Sequence, residues 1–178
     1  MTTIFTLGHS TRELADFSRV LQAHDIRLLE DIRAFPMSRR YPHFNREHLE
    51  LWLPEIGCEY VWEKELGGRR KKQMPAGDSP HVALRNPSFR NYADYMLSPQ
   101  FQKAVERLVE RAEKRKTAIM CAEYVYFRCH RMLVSDYLVS QGHTVLHILD
   151  EKPPTEHKLS KDARVVDGRL IYRGDRLL

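Results

Sequence analysis

The stretch Thr117–Asp150, TAIMCAEYVYFRCHRMLVSDYLVSQGHTVLHILD, decides how this chain is read. Thr117–Met120 is an apolar run that predicts a short buried strand. Cys121-Ala122-Glu123 ends it, and Tyr124–Arg128 lead on to Cys129-His130-Arg131. Leu133, Val134, Tyr137 and Leu138 follow at helical spacing, and Gly142 stops that helix. Thr144–Leu149 predicts a second strand. Strand, polar loop, helix and strand make one unit of a parallel sheet, with the loop at the carboxyl end of its first strand. Open α/β sheets carry their sites in that position. The loop holds two thiols, a carboxylate, an imidazole and two guanidinium groups. Such a mix is costly unless its members are paired or used.

The start of the chain repeats the arrangement. Thr3–Leu7 predicts a strand that Gly8-His9-Ser10 closes. Ser10-Thr11-Arg12-Glu13 fits a capping box with Ser10 as N-cap. Leu14, Phe17, Val20 and Leu21 give a helical stripe. His9 therefore lies between a strand end and a helix start, where backbone N–H groups favour anions. Ile26–Ile32 predicts the next strand, with Asp31 and Arg33 at its far end. Two such units predict one doubly wound sheet. The fold class is α/β, a single three-layer domain with a mostly parallel sheet and helices on both faces.

Two loops stand out. Residues 34–44 (AFPMSRRYPHF) carry Ser38, Arg39, Arg40 and His43 among Phe35, Tyr41 and Phe44, and their two prolines exclude a long regular element. Cations interleaved with aromatics suit a nucleobase or nucleotide, by stacking plus charge. A solvated loop whose aromatics pack on the core is the plainer alternative. Asn45 opens a short helix to about Leu53, and Cys58–Trp62 predicts a third strand. Residues 65–87 form the longest irregular stretch, with Gly67-Gly68 followed by four basic residues, Arg69–Lys72. Loops of that length are commonly functional or disordered. Phe89–Met96 predicts a helix. Ser98-Pro99 opens another to about Lys114, with Phe101, Ala104, Val105, Leu108 and Val109 facing the core. Arg111, Lys114, Arg115 and Lys116 close that helix, where cations suit its dipole.

After Asp150 the composition changes. Residues 151–162 are polar with two prolines, and Arg164–Tyr172 is a hairpin pattern with Asp167-Gly168 as its turn. The expected organisation is an α/β domain over 1–150 and an extension with a β-hairpin over 151–178, packed either on the domain or on a partner chain.

Composition bounds the function. The chain has 178 residues, 42% hydrophobic and 30% charged, which suits one folded unit with a sizeable core. No apolar run approaches the roughly 20 residues of a membrane span, so no membrane partner is expected. The first residues lack the basic-then-apolar pattern of a signal peptide. Three cysteines, Cys58, Cys121 and Cys129, cannot all pair. Both points predict a cytoplasmic protein. A net charge of +5 permits an anionic ligand or nucleic acid but equally a solvated basic surface.

The strand-end loops bring their polar groups to one rim of the sheet. Cys121, Glu123, Cys129 and His130 are the candidate catalytic residues. A helix N-terminus and neighbouring cations favour thiolate, so either cysteine is a candidate nucleophile, with Glu123 or His130 moving the proton. His9, Ser10, Asp31, Arg33, Ser38, Arg39, Gly67, Gly68 and Arg131 are the candidate ligand-binding residues. Asp31 pairing with Arg131 would account for part of the rim, and buried inert thiols are the structural alternative. The spacing from Cys121 to Arg128 is one residue too long for a thiolate phosphate-binding loop, and the loop lacks glycine. The likeness to phosphatase or rhodanese loops is therefore weak. Cys121, Cys129, His130, His147 and His9 are zinc-ligand types, but their spacing is not a usual zinc pattern, and no metal site is assigned. His147 reads as a core-facing strand histidine. No cofactor is specified.

Thr6-Leu7-Gly8-His9-Ser10, Asp31-Ile32-Arg33 with Pro36 and Ser38-Arg39, Leu66-Gly67-Gly68, Cys121-Ala122-Glu123 with Cys129-His130-Arg131, and His147-Ile148 resemble domain-of-unknown-function family number 488. The resemblance spans about residues 4–150. Ile32 stands where valine is common. Tyr124–Phe127 are aromatic and apolar where some members carry acidic residues and proline, a change that bears on the ligand. The resemblance implies a microbial cytoplasmic α/β protein with cysteine motifs, and it implies no reaction. Two functional expectations follow from the residues. One is an enzyme acting on a nucleotide, nucleobase or other anionic small molecule. The other is a non-catalytic module binding nucleic acid or a nucleotide. Oligomeric state is not legible.

Overall fold

A computed structural model describes residues 1–174. Six strands form one sheet in the order β3-β2-β4-β1-β5-β6. They are β1 (Thr3–Gly8), β2 (Leu28–Asp31), β3 (Glu59–Trp62), β4 (Thr117–Cys121), β5 (Thr144–His147) and β6 (Thr155–Glu156). The first five run parallel and β6 is antiparallel to β5. The helices are α1 (Leu14–Ala23), α2 (Arg46–Trp52), α3 (Pro87–Met96), α4 (Pro99–Lys114) and α5 (Arg131–Ser140). A separate two-stranded hairpin, β7 (Ala163–Val166) and β8 (Arg169–Tyr172), follows.

Alternation along the strands divides the core into two layers. Ile4, Ile32, Ile119 and Val145 face α3, α4, α5 and the hairpin. Phe5, Leu7, Leu29, Ala118 and Met120 face α1 and α2. Strands covered on both faces need apolar residues at every position, and all five residues of β4 are buried. Each fully buried Leu, Ile or Phe side chain contributes about 1.5–3 kcal/mol.

β1 and β4 are neighbours, with Gly8 opposite Cys121. The helix after β1 covers one face and the helix after β4 covers the other. Their carboxyl ends therefore open between two diverging connections, the usual place for a site in such sheets.

Several local expectations give way to tertiary contacts. Ser10 does not cap α1, which starts at Leu14 with Glu13 before it. Ser10 instead takes a left-handed φ of 50° while its N–H donates to the Ala122 carbonyl. Asn45 precedes α2, but its side chain accepts from the Ser38 N–H at 2.6 Å. Arg111 is held by Glu30 and Glu63 at 3.0 and 3.3 Å rather than by the dipole of α4 alone. Asp167 and Gly168 both take positive φ, 50° and 74°, as the hairpin turn requires. The hairpin packs on the chain itself, with Leu170 and Tyr172 buried in the core beside α5. Among the described residues no helix is long and apolar enough to cross a membrane.

Candidate functional site

Cys121 ends β4, and Cys129 stands two residues before α5. The tight loop between them brings their sulfurs to 3.1 Å, an S–H···S hydrogen bond. All three cysteines are unpaired by disulfide.

Arg131, the first residue of α5, lies directly behind the sulfurs and is only 1% exposed. Its Nε donates to Cys121 Sγ at 3.0 Å, and its backbone N–H reaches Cys129 Sγ at 3.4 Å. The remaining guanidinium contacts are Thr6 Oγ1 at 3.1 Å and the Glu123 and Tyr124 carbonyls at 2.5 and 3.2 Å. Among the described residues no carboxylate forms an ion pair with Arg131. A buried cation without an anion is strongly unfavourable. The sulfur pair can supply the missing charge as one thiol and one thiolate. The pull toward ionisation falls on Cys129: the hydrogen bond from Cys121 lowers its pKa, and His130 and Arg131 lower it further against the effect of burial. Burial, followed by the shared hydrogen bond, pushes Cys121 well up.

His130 is oriented by its Nε2–H, which donates to the Ile32 carbonyl at 2.8 Å. That leaves Nδ1 to exchange a proton with the cleft: it accepts when the ring is neutral and donates toward Cys129 when the ring is charged. The ring rests against Gly68, where an added Cβ would collide with Nδ1. Tyr92 lies 5.2 Å away, ring to ring.

Asp31 and Arg33 form a buried bidentate pair, Nε to Oδ1 at 2.9 Å and NH2 to Oδ2 at 2.7 Å. Tyr60 donates to the same carboxylate at 2.6 Å. Asp31 thus pairs with Arg33 and not with Arg131. Arg33 NH1 points at His9 Nε2 at 3.3 Å, so His9 Nδ1–H donates to the Ser10 carbonyl at 2.9 Å. His9 stacks on Phe44 at 4.4 Å. Burial, with Arg33 adding to it, lowers the pKa of His9 to about 4, and the ring is neutral at pH 7.

These groups border an open cleft of about 820 Å³. His9, Ser10, Arg33, Ser38, Gly68, Cys121, Glu123, Cys129 and His130 all line it. Four expected members do not. Asp31 is fully buried beneath Arg33. Arg131 lies behind the sulfurs. Arg39 points to solvent, and the neighbouring Arg40 lines the cleft instead. Gly67 packs against Ala34, where a Cβ would come within 2.9 Å of backbone. Glu123 is exposed, and its backbone carbonyl, not its carboxylate, meets Arg131. Arg69, Phe35, Phe89 and Tyr92 complete the walls. Tyr92 sits on the inner face of α3, within the core. Its place on the cleft wall had no local signal. Among the described residues no group of three or more His, Cys, Asp or Glu side chains is arranged to hold a metal ion.

A model of the family described as domain of unknown function DUF488 matches residues 13–138, a narrower span than the motifs from Thr6 to His147. No curated protein and no solved structure matches the chain.

Proposed function

This chain belongs to the DUF488 family, and we propose that it is an enzyme in which Cys129 acts as a thiolate nucleophile on an anionic small molecule of nucleotide or nucleobase size. The observation that carries this reading is the 3.1 Å sulfur contact backed by a buried Arg131 that has no carboxylate partner. Both sulfurs line the cleft, so the nucleophile is reachable. Cys129 sulfur forms a bond to an electrophilic carbon or phosphorus, and the leaving group departs with the bonding pair. The Cys121 thiol is the nearest proton for it. His130, with Nδ1 free, then takes a proton from the water that releases the adduct and restores the Cys129 thiolate, and that proton passes back to Cys121 to close the cycle. Arg40 and Arg69 would hold the anionic part. Phe35, Phe89 and Tyr92 offer aromatic walls for a base. A volume of about 820 Å³ lies in the range of small-molecule sites.

The test is the pH profile of iodoacetamide labelling, joined to a thermal-shift screen of nucleotides and nucleobases. The expected result is labelling of Cys129 well below pH 8, and a ligand that stabilises the wild type and Cys129→Ser alike but is turned over by the wild type alone. No labelling of Cys129 below pH 8 would remove the nucleophile from the reading.

A second reading rests on the exposed Phe35 and Met37, with the exposed Arg39 and Arg40 in the same loop and the exposed Lys71 and Lys72 in the 65–87 loop. That surface suits a strand of nucleic acid bound without chemistry. It predicts salt-dependent binding that Cys129→Ser leaves intact and Arg40→Ala weakens, with no turnover.

A further inference from the structure

Behind Arg131 runs a buried file of polar side chains that the cleft itself does not use. Arg131 NH1 donates to Thr6 Oγ1 at 3.1 Å. Thr6 Oγ1 meets His147 Nδ1 at 2.7 Å. His147 Nε2 meets His157 Nδ1 at 2.9 Å. His157 Nε2 meets Asp136 Oδ1 at 2.8 Å. Asp136 also accepts from Tyr172 Oη at 2.9 Å and from the Ser160 N–H at 2.9 Å. All of the side chains named, Ser160 apart, are buried.

With one proton on each imidazole, the two ends set the direction of every hydrogen bond in the file. Arginine can only donate, so Thr6 accepts from it and has its own hydrogen free to give to His147 Nδ1. A neutral His147 then carries its proton on Nε2 and donates to His157 Nδ1. His157 carries its proton on Nε2 and donates to Asp136. Asp136, with donors on both oxygens, is the ionised end. Each ring nitrogen of the two imidazoles is satisfied in this arrangement. Burial lowers the pKa of His147, and the neighbouring His157 and Arg131 lower it further, in keeping with a neutral ring. Tyr126, from the loop between the two cysteines, lies flat on His147 at 3.5 Å and 1° and covers the file at that point.

We propose that Thr6, His147, His157 and Asp136 are a positioning relay that orients Arg131 against the sulfurs of Cys121 and Cys129. Arginine does not release its proton, so the file does not conduct protons to the site. It fixes the guanidinium, and Asp136 anchors the far end of the file. Chains of this kind act as the outer partners of metal-bound histidines do, by holding the inner group in one orientation. His147, His157 and Tyr172 lie outside the residues 13–138 that the family model covers. The segment after β5 is therefore part of the machinery of this site, because it supplies the histidine and the tyrosine that hold Asp136.

The proposal deepens the thiolate reading and rests on it, but its test needs no substrate. Thiolate at Cys129 is followed by its absorbance near 240 nm and by iodoacetamide rate against pH. The proteins compared are wild type, Thr6→Val, Thr6→Ser and His157→Gln. Cys58 does not interfere, because burial pushes its thiol up to about 12. Thr6→Val keeps the shape and removes the hydroxyl, and it is expected to move the midpoint of the ionisation up by about one unit, read as a tenfold lower thiolate fraction at pH values well below that midpoint. Thr6→Ser should restore the wild-type profile, and His157→Gln should move the same way as Thr6→Val. A folded Thr6→Val protein with an unchanged profile would overturn the relay while leaving the nucleophile in place. A wild type without depressed ionisation would instead overturn the thiolate reading itself.

Discussion

The sulfurs of Cys121 and Cys129 lie 3.1 Å apart, with the guanidinium of Arg131 3.0 Å from the first of them. A mild oxidant such as diamide should close them into a disulfide with little backbone movement. Two effects then compete. Cross-linking so short a loop adds about 2–3 kcal/mol in the chain-entropy account. Removing the thiolate leaves Arg131 buried without its counter-charge, which costs about 3–5 kcal/mol. The second is larger, so the oxidised protein should melt lower than the reduced one. Mass spectrometry, reading the loss of two hydrogens, and a thermal melt check both halves. A melt raised by several degrees would mean that Arg131 does not depend on the thiolate.

Arg33 and Arg40 both border the cleft but should respond differently to truncation. Arg33 is bound on both sides of the Asp31 carboxylate and also donates to the Phe44 carbonyl at 2.7 Å. Arg33→Ala leaves that buried carboxylate with only the Tyr60 hydroxyl and the backbone N–H of residue 33 and should cost about 3–5 kcal/mol of stability. Arg40 is exposed. Arg40→Ala should change stability by less than about 0.5 kcal/mol yet weaken an anionic ligand. Urea unfolding and ligand titration of the two variants separate the roles. Equal stability losses would contradict the assignment.

The sequence carried the frame of the fold because its signals were local. Ser98 accepts from the Phe101 N–H at 3.3 Å and Pro99 opens α4, so that helix begins where a cap and a proline dictate. The buried run of β4 needed no partner to be read as a strand. Ser10 shows the limit. Its capping pattern is sound, but pairing with Ala122 holds it in the β1 exit and the helix waits for Leu14. The site divides in the same way. Cysteines at a strand end and a helix start were legible, as was their gathering with His9 and Arg33 at one rim. Which of two adjacent arginines faces the cleft depends on how the 34–44 loop closes. The file from Thr6 to Asp136 joins β1, α5, β5 and the segment after β6, and no spacing along the chain encodes it.

Glu30 gives the fold an inverted response to pH. It is fully buried in β2, one carboxylate oxygen is held by Arg111 at 3.0 Å, and the other has no partner. Burial raises its pKa from the ordinary 4.5 to about 7, with Arg111 opposing and Glu63 assisting. The folded state then binds the proton more tightly than the unfolded one. Its contribution is fully present below pH 4.5 and is lost as pH rises through about 7. The interval corresponds to about 3 kcal/mol at most. Glu30→Gln should therefore gain stability over wild type as pH rises from 4.5 to 8. Denaturant midpoints at a series of pH values measure this, and a variant whose difference from wild type stays constant would contradict it.

Gly68→Ala should separate folding from chemistry at the cleft. A Cβ on Gly68 would overlap the His130 ring at Nδ1, with Cγ only 2.8 Å away. The obstacle is a side chain on the cleft wall, so the ring can swing away instead of the backbone. Swinging breaks its 2.8 Å bond to the Ile32 carbonyl, a loss of about 0.5–1.5 kcal/mol. It also removes one of the groups that keep Cys129 ionised. The variant should fold with a small drop in Tm, label more slowly with iodoacetamide at pH 7, and turn over substrate poorly if His130 is the base. Gly67→Ala is the contrast, because its Cβ would meet the backbone of Ala34 and Lys64 at 2.9 Å. There the backbone must move, and the expected result is a large loss of stability. A Gly68→Ala protein with wild-type labelling would show that the imidazole at 130 has no hold on the Cys129 sulfur.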